Sequence, residues 1–413
     1  MTLIRPFKGL RPGTGKAVEV AAPPYDVMSY KEAVVLAKDK PNSFLHISRP
    51  EIDLPEGTDP YSPQVYEKAK VNLKSLVDKG VLVRDDEACF FVYRLTGRGV
   101  SQSGLVVSAS VDAYDQNRIR KHEFTRPEKE DDRVRQIDEL SVQTGPVLLA
   151  YPSSKDIDAI IASESTRDSD SDVLDADEVR HELWIISSAE KIAQLVALFD
   201  DLPALYIADG HHRSAAASRV QKLKMSREAQ VVVGPKSYDY FLAVAFPQEQ
   251  MQILAYNRVV ADLNGLSPND FLECLNKDFI VQPSDNPVVP KEKGVMGLYL
   301  DGHWYVLTLS ATLRSDDPIE TLDVSVLSNR VLGSVLGIHD LRKDKRIDFV
   351  GGIRGTRELV KRVDSKEMAC AFSLFPTKIE ELMAIADQGQ VMPPKSTWFE
   401  PKLADGLVSH VLD

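Results

Sequence analysis

Cysteine is scarce in this 413-residue chain, and the three present, Cys89, Cys274 and Cys370, stand far apart with no C-x-x-C pair. That spacing excludes a disulfide framework and a cysteine-built zinc site, and it reads as reduced, mostly buried thiols. Positive charge is also short. The chain has 50 Lys and Arg against 62 Asp and Glu, a formal net charge of -12. Such an acidic balance argues against broad nucleic-acid binding, which draws its affinity from basic patches set on phosphates. Long apolar runs are missing too. Met1 leads straight into TLIRPFKGLRP with no apolar signal core, and no later segment approaches a membrane span. The expectation is a cytoplasmic protein that engages neither membrane nor nucleic acid. No internal repeat or long linker interrupts it.

What is there is ordinary globular material, 43% apolar and 27% charged, in a chain long enough for more than one core. Strand and helix patterns alternate irregularly, which favours mixed α+β lobes over one doubly wound sheet. Pro23-Pro24 cannot lie in a helix or a central strand, so Tyr25-Asp26 fall on a stiff extended turn before a helix that starts near Ser29. Residues 62–80 follow a helical period and stop at Lys79-Gly80. ACFFVYRLTGRG and SGLVVSASVDAY read as paired strands. The acidic, serine-rich stretch at 164–178 reads as a solvated loop between a helix and a strand carrying Trp184. From MQILAYNRVV a second lobe begins, with the hairpin VMGLYLDGHWYVLTLS and the strand RIDFVGG. The expected division is therefore 1–250 and 251–413.

One stretch concentrates chemistry. In LYIADGHHRSAAASRV, residues 205–220, an apolar strand runs through Asp209-Gly210-His211-His212-Arg213 into a small-residue helix. A strand–turn–helix junction is an anion site in waiting, because N–H groups of the first helical turn and the helix dipole point at whatever sits there. Gly210 lets the backbone bend and approach a ligand. Arg213 offers a fork matched to phosphate oxygens, and His211 or His212 can add hydrogen bonds. Asp209 would repel a phosphate unless a divalent cation such as Mg²⁺ bridges them, or unless it accepts a substrate proton. The bland alternative is that Asp209 caps the helix while Arg213 pairs with a nearby acid. Zinc is disfavoured, since adjacent residues at a helix start point in different directions.

Three further clusters are candidates, each with a plain structural reading beside the functional one. In RIRKHEFTRPEKEDDRVRQI, His122 and Glu123 follow a strand, where a general base can be held rigidly, and Asp132 and Arg133 open the next helix. The same charges can equally form a solvated helix face. FVGGIRGTRELVKRV places Gly352 and Arg354 in a glycine-rich strand-to-helix turn, without the spacing of a dinucleotide fingerprint or the Walker lysine. MPPKSTWFEPKLADGL presents Lys395, Ser396 and Thr397 on a proline-stiffened path, either a closing flap or a tail packed on the core.

Taken together, APPYDV, KHE with its following DR, GPVLLAY, ADGHHR, YNRVV, GGIRG and MPPKSTWFEPKL occur in this order in a bacterial and archaeal family known as domain of unknown function 1015, often labelled ParB-like. The chain resembles that family over essentially its whole length. The DGHHR box is also similar to the DGHTR turn of free L-serine kinases, which share a nucleotide-handling fold with ParB and sulfiredoxin. The resemblance implies such a core with an additional C-terminal α/β lobe. It implies Asp209, Gly210, His211, His212 and Arg213 as a phosphate and metal turn, and a small-molecule phosphotransferase acting on L-serine. The donor would be pyrophosphate or ADP/ATP, with Mg²⁺. His212 stands where those kinases carry threonine, which leaves donor and reaction open. The kinases' catalytic acid has no motif counterpart here; Glu123 is expected as the base from its surroundings, and Tyr25, Asp26 and Arg133 as substrate contacts. A phosphohydrolase in the same pocket and a ParB-like nucleotide-binding regulator are the alternatives.

Overall fold

The computed structural model describes residues 2–228 and 234–413. The chain divides into two compact units: Met1–Lys121 with Thr125–Met251 and Pro401–Asp413, and His122–Phe124 with Gln252–Glu400. These units differ from the expected division in two places. Residues 401–413 return to the first unit, where Ser409–Val411 pairs with both Gly9–Pro12 and Val142–Gln143. Residues 122–124 count with the second.

The first unit is built on a nine-stranded mixed sheet. Its centre is the antiparallel set Phe90–Gly97, Val100–Ser110 and Tyr240–Pro247. Val147–Tyr151 then adds parallel to Tyr240–Pro247, and Leu205–Asp209 adds antiparallel to Val147–Tyr151. The central strands are buried on both faces, which is why VLLAY and YFLAVAF read as continuous apolar runs rather than alternating ones. Val92, Leu105, Val107, Leu149, Ile207 and Ala243 form the core of this sheet. A four-stranded sheet in the same unit lies by a smaller cluster that includes Leu10, Phe44, Leu73 and Leu82.

Helices follow the sequence signals where those are local. Ser29 caps Tyr30–Ala37 in a reciprocal box with Glu32, the arrangement that satisfies two orphan N–H groups at once. Pro63–Asp78 matches its period, with Val65, Ala69, Leu73 and Leu76 inward. The helix expected to open at Asp132 opens earlier, at Pro127, where proline suits the first turn. Asp132 and Arg133 therefore sit inside Pro127–Leu140 and are buried. The acidic stretch at 164–178 is not all loop: Ser171–Leu174 pairs with Arg180–Ile186, and Arg180 meets Asp172 across the ladder.

The second unit has a six-stranded antiparallel sheet, on one face of which Val259, Val350, Leu359, Val363 and Ala371 pack. Val295–Leu300 and His303–Leu309 form its hairpin. Gln252–Leu254 pairs separately with Trp398–Glu400. The architecture is mixed α+β, and no helix among the described residues is long and apolar enough to cross a membrane.

Candidate functional site

The strand Leu205–Asp209 ends in a register shift between Ile207 and Asp209, and the 17-residue helix His211–Arg227 starts two residues later. Gly210 is the hinge, at φ 99° and ψ 27°. A side chain there would be strained by the left-handed backbone, and its Cβ would stand 3.3 Å from Val147 Cα. The glycine, not Asp209, is the residue before the first helical turn, and it offers no side-chain cap. The N–H groups of Arg213 and Ser214 return to the Gly210 carbonyl, and the Ser214 hydroxyl donates to the His211 carbonyl at 3.1 Å. Ser214, Ala215, Ala216 and Ala217 are buried, so the small-residue run is what lets this helix lie close to its neighbours.

The charges of the turn are matched. Lys402 Nζ donates to Asp209 Oδ2 at 3.2 Å. Although burial raises the Asp209 carboxyl, Lys402, Arg213 and His211 together hold it well below the ordinary carboxylate range. Arg213 Nη1 donates to the Pro146 carbonyl, and Nη2 lies 3.6 Å from Asp26 Oδ2. Burial works against its charge, but Asp26, Asp209, Tyr25 and Asp405 keep the guanidinium protonated. His212 Nε2 accepts from the Arg126 N–H at 3.0 Å, so in the neutral ring the proton sits on Nδ1. His211 is buried.

Tyr25-Asp26 reach this turn through the stiff prolines and through Arg49, whose Nη1 donates to the Tyr25 and Met28 carbonyls at 3.0 and 2.9 Å. Arg133 lies over the Tyr25 ring, its Cζ 3.9 Å from the centroid, and pairs with Asp132 at 2.6 Å. Asp132 in turn accepts from the Tyr66 hydroxyl at 2.9 Å. Burial is the main reason that the Tyr25 hydroxyl is pushed up to about 12, so it stays a neutral donor at physiological pH.

Asp405 completes the pocket, and nothing in the sequence pointed to it. The final segment carries it in: Asp405 and Ala22 exchange backbone hydrogen bonds at 2.9 and 3.1 Å, and the Ala404 N–H donates to the Tyr93 hydroxyl. Gly406, at φ 86°, packs so tightly on Phe44 that a Cβ would lie 2.6 Å from its ring. The Tyr25 N–H donates to the Asp405 carboxylate. Burial pushes this carboxyl up to about 7, with Arg213 opposing and Asp26 adding to the rise. Tyr25, Arg133, Thr144, Gly145, Arg213 and Asp405 enclose a cavity of about 20 Å³, room for one water-sized polar group. The only local signal was the GPVLLAY start, which supplies Gly145 and the Pro146 carbonyl.

The other expected residues count with the second unit, His122 and Glu123 among them. There the His122 carbonyl accepts from the Met392 N–H at 2.8 Å. Glu123, with Phe124, Asn329, His339, Asp340 and Arg342, lines an open cavity of about 710 Å³. The glycine-rich turn is explained by packing: a Cβ on Gly351 would stand 2.8 Å from the Trp398 ring, and one on Gly352 2.6 Å from the Ala255 carbonyl. Arg354 ends the short 3-10 turn Gly352–Arg354. Ser396 is buried, its hydroxyl donating to the Pro393 carbonyl at 2.6 Å, while its own carbonyl accepts from the Thr377 hydroxyl. Thr397 is half-buried and Lys395 exposed.

The chain belongs to the family DUF1015, described as a protein of unknown function, whose model matches residues 4–325. No curated protein matches the chain. Among solved structures it is similar to a free serine kinase in complex with AMP, at 13% identity and a TM-score of 0.36, over 73% of this chain and 92% of that one. It is similar to SbnI with C-terminal truncation from Staphylococcus aureus at 11% identity and a TM-score of 0.38, over 73% and 86% of the two chains. A conserved hypothetical protein from Pyrococcus furiosus shares 14% identity at a TM-score of 0.35, over 73% and 94%. Likenesses at this distance assign no activity and no residue role.

Proposed function

We propose that the first unit is a small-molecule phosphotransferase whose donor phosphate binds at the Asp209–Arg213 turn, with L-serine as acceptor and O-phosphoserine as product. The observation that carries this reading is that Arg213 lies beside Gly210, a left-handed glycine at the start of a long helix, while Lys402 reaches the adjoining Asp209. Two cations, helix-start N–H groups and a backbone free of a Cβ are what a phosphate needs for close approach. Phosphoryl transfer asks mainly for positioning and charge neutralisation, and the turn supplies both.

The acceptor hydroxyl oxygen forms the new bond to phosphorus, the bridging bond of the donor breaks, and the leaving group departs with the donor's electron pair. The hydroxyl proton needs an acceptor. Asp405 fills that role in the first unit, because it borders the cavity and is held near neutrality. Within the first unit the base is Asp405 rather than the expected Glu123 or His122, which count with the second unit. Asp26, on its rigid turn, takes the substrate amine, and Tyr25 and Arg133 wall the pocket. The donor is pyrophosphate or an adenine nucleotide.

A resident magnesium ion does not fit Asp209. Its carboxylate already faces the Lys402 ammonium, and Arg213 and His211 add positive charge beside it.

Phosphorus NMR tests the reading. The protein is incubated with Mg²⁺ and L-serine, with pyrophosphate, ADP or ATP in separate samples. The expected result is a serine-dependent phosphomonoester resonance with one donor, lost in Arg213→Ala while the fold persists. Donor breakdown without that resonance would establish the phosphohydrolase alternative. No change in any sample would overturn phosphotransfer.

A further inference from the structure

A second cleft in the first unit is walled mainly by charge of one sign. It encloses about 330 Å³ and shares no residue with the cavity at Asp405. Four cationic side chains line it, Arg5, Lys8, Arg84 and Lys236, against one acidic side chain, Asp413. This happens in a chain whose formal net charge is -12. Arg84 pairs with Asp413 at 2.7 Å, and Lys236 Nζ lies 3.5 Å from a Glu228 carboxylate oxygen. Arg5 and Lys8 are exposed, and among the described residues neither forms an ion pair. The pairing therefore leaves an excess of positive charge at the cleft.

These cations come from several elements with fixed backbones. Arg5 lies on the strand Ile4–Arg5 opposite Ser108, whose hydroxyl donates to the Arg5 carbonyl at 2.9 Å. Its Cζ stands 5.5 Å from the centre of the Tyr240 ring, which also lines the cleft. Arg84 ends the strand Leu82–Arg84, opposite Leu10. The Lys236 N–H donates to Asp239 Oδ2 at 2.7 Å. His410 forms a further part of the wall and is buried. Its Nε2 donates to the Ser237 carbonyl at 2.9 Å, and its Nδ1 has no hydrogen-bond partner among the described residues. Burial pulls the imidazole down to about 4, so the ring is neutral at physiological pH and Nδ1 is an unsatisfied acceptor. Like charges gathered round one hollow repel each other, and the walls focus their field on whatever anion enters.

We infer that this cleft binds a small anion carrying two or more negative charges, held by Arg5 and Lys8 with Arg84 and Lys236 beside them. Guanidinium forks take phosphate and carboxylate oxygens alike, and the ammonium groups add point charge. A single negative charge would leave most of the excess unneutralised, so the ligand is polyvalent. The volume lies at the small end of ligand pockets, which suits a molecule the size of pyrophosphate or citrate. The inference does not rest on phosphotransfer, since no residue of the Asp209–Arg213 turn lines this cleft.

Acetylation of lysines in the full chain, mapped by mass spectrometry, tests this locally, whatever binds at the Asp209–Arg213 turn. Pyrophosphate, citrate and acetate are titrated in separate samples, with the exposed Lys31 as internal control. Pyrophosphate or citrate should slow acetylation of Lys8, and of the less exposed Lys236 to a smaller degree, while Lys31 is unaffected and acetate has no effect. Whichever polyanion protects at the lower concentration assigns the ligand to phosphate or to carboxylate chemistry. In Arg5→Gln, and in Arg5→Gln with Arg84→Gln, the protecting concentration should rise at least about tenfold. Arg5 is exposed and makes no ion pair, so the single variant should keep the Tm of the parent. Any of three results overturns the proposal: Lys8 protected by neither polyanion, equal protection by acetate or at Lys31, or protection that Arg5→Gln leaves unchanged.

Discussion

Replacing Asp405 by asparagine removes a buried charge and keeps the side chain's shape, and its effect on stability should change with pH in a defined direction. An unfolded aspartate titrates near about 3.9, whereas burial, against the pull of Arg213, pushes Asp405 up to about 7 in the folded chain. Below about pH 4 the carboxyl is protonated in both states and costs nothing. Between there and pH 7 the folded chain holds a proton that the unfolded chain has released, so stability falls as pH rises. Above pH 7 the penalty is complete, and the gap between the two pKa values corresponds to about 4 kcal/mol. Arg213 keeps Asp26 and the Pro146 carbonyl when Asp405 is neutralised, so little of this is returned as an unpaired cation. Urea denaturation of both proteins at pH 4 and pH 8 is the assay. Asp405→Asn should match wild type at pH 4, gain about 2–4 kcal/mol at pH 8, and lose turnover in the serine assay. The same stability difference at both pH values, or a loss at pH 8, would show that Asp405 is an ionised structural partner of Arg213 and would refute both the titration and the proton-acceptor role.

Gly406→Ala should cost about 3 kcal/mol or more, because a positive φ of 86° is compounded by a Cβ placed 2.6 Å from the Phe44 ring. Gly57→Ala, at φ 87° with open space around it, should cost only about 1 kcal/mol; equal losses in denaturant would mean that the 401–413 segment is not held by that contact. In the second unit, burial raises Asp323 to about 6, and its Oδ1 accepts from the Gly294 N–H at 2.8 Å while Oδ2 has no hydrogen-bond partner among the described residues. Asp323→Asn keeps the acceptor, so it should be neutral at pH 4 and stabilising by about 2–3 kcal/mol at pH 8 in the same denaturation assay.

Local signals carried the parts of the fold that are decided locally. Ser29 with Glu32, the period of 63–78, the hairpin 295–309 and the strand–Gly210–helix junction are written in neighbouring residues, and the structure has each. The features that escaped are those decided at long range. Lys402 and Asp405 meet residues almost two hundred or more positions away, and nothing in PKLADGL distinguishes a returning tail from a flap of the second lobe. Asp132 and Arg133 read as a helix start because charge clusters there, but proline at 127 begins the helix and the charges turn inward to Tyr66 and Tyr25. The second strand at 171–174 was hidden by its own acids, since only the partner Arg180 makes Asp172 favourable on a ladder.

One feature of this chain is more costly than its local alternative, and the packing around it does not require it. Asparagine at 405 would keep the backbone bridge to Ala22 and shed a buried charge. Elsewhere the same chain makes the inexpensive choice: glycine stands at 210, 351, 352 and 406, where a left-handed backbone or a close neighbour excludes a side chain. A carboxylate kept where burial opposes its charge is retained for that charge. Stability sacrificed at specific polar positions is the usual mark of a functional group. If Asp405→Asn stabilises at pH 8 while abolishing turnover, the residue is functional; if it destabilises, the residue is part of the scaffold.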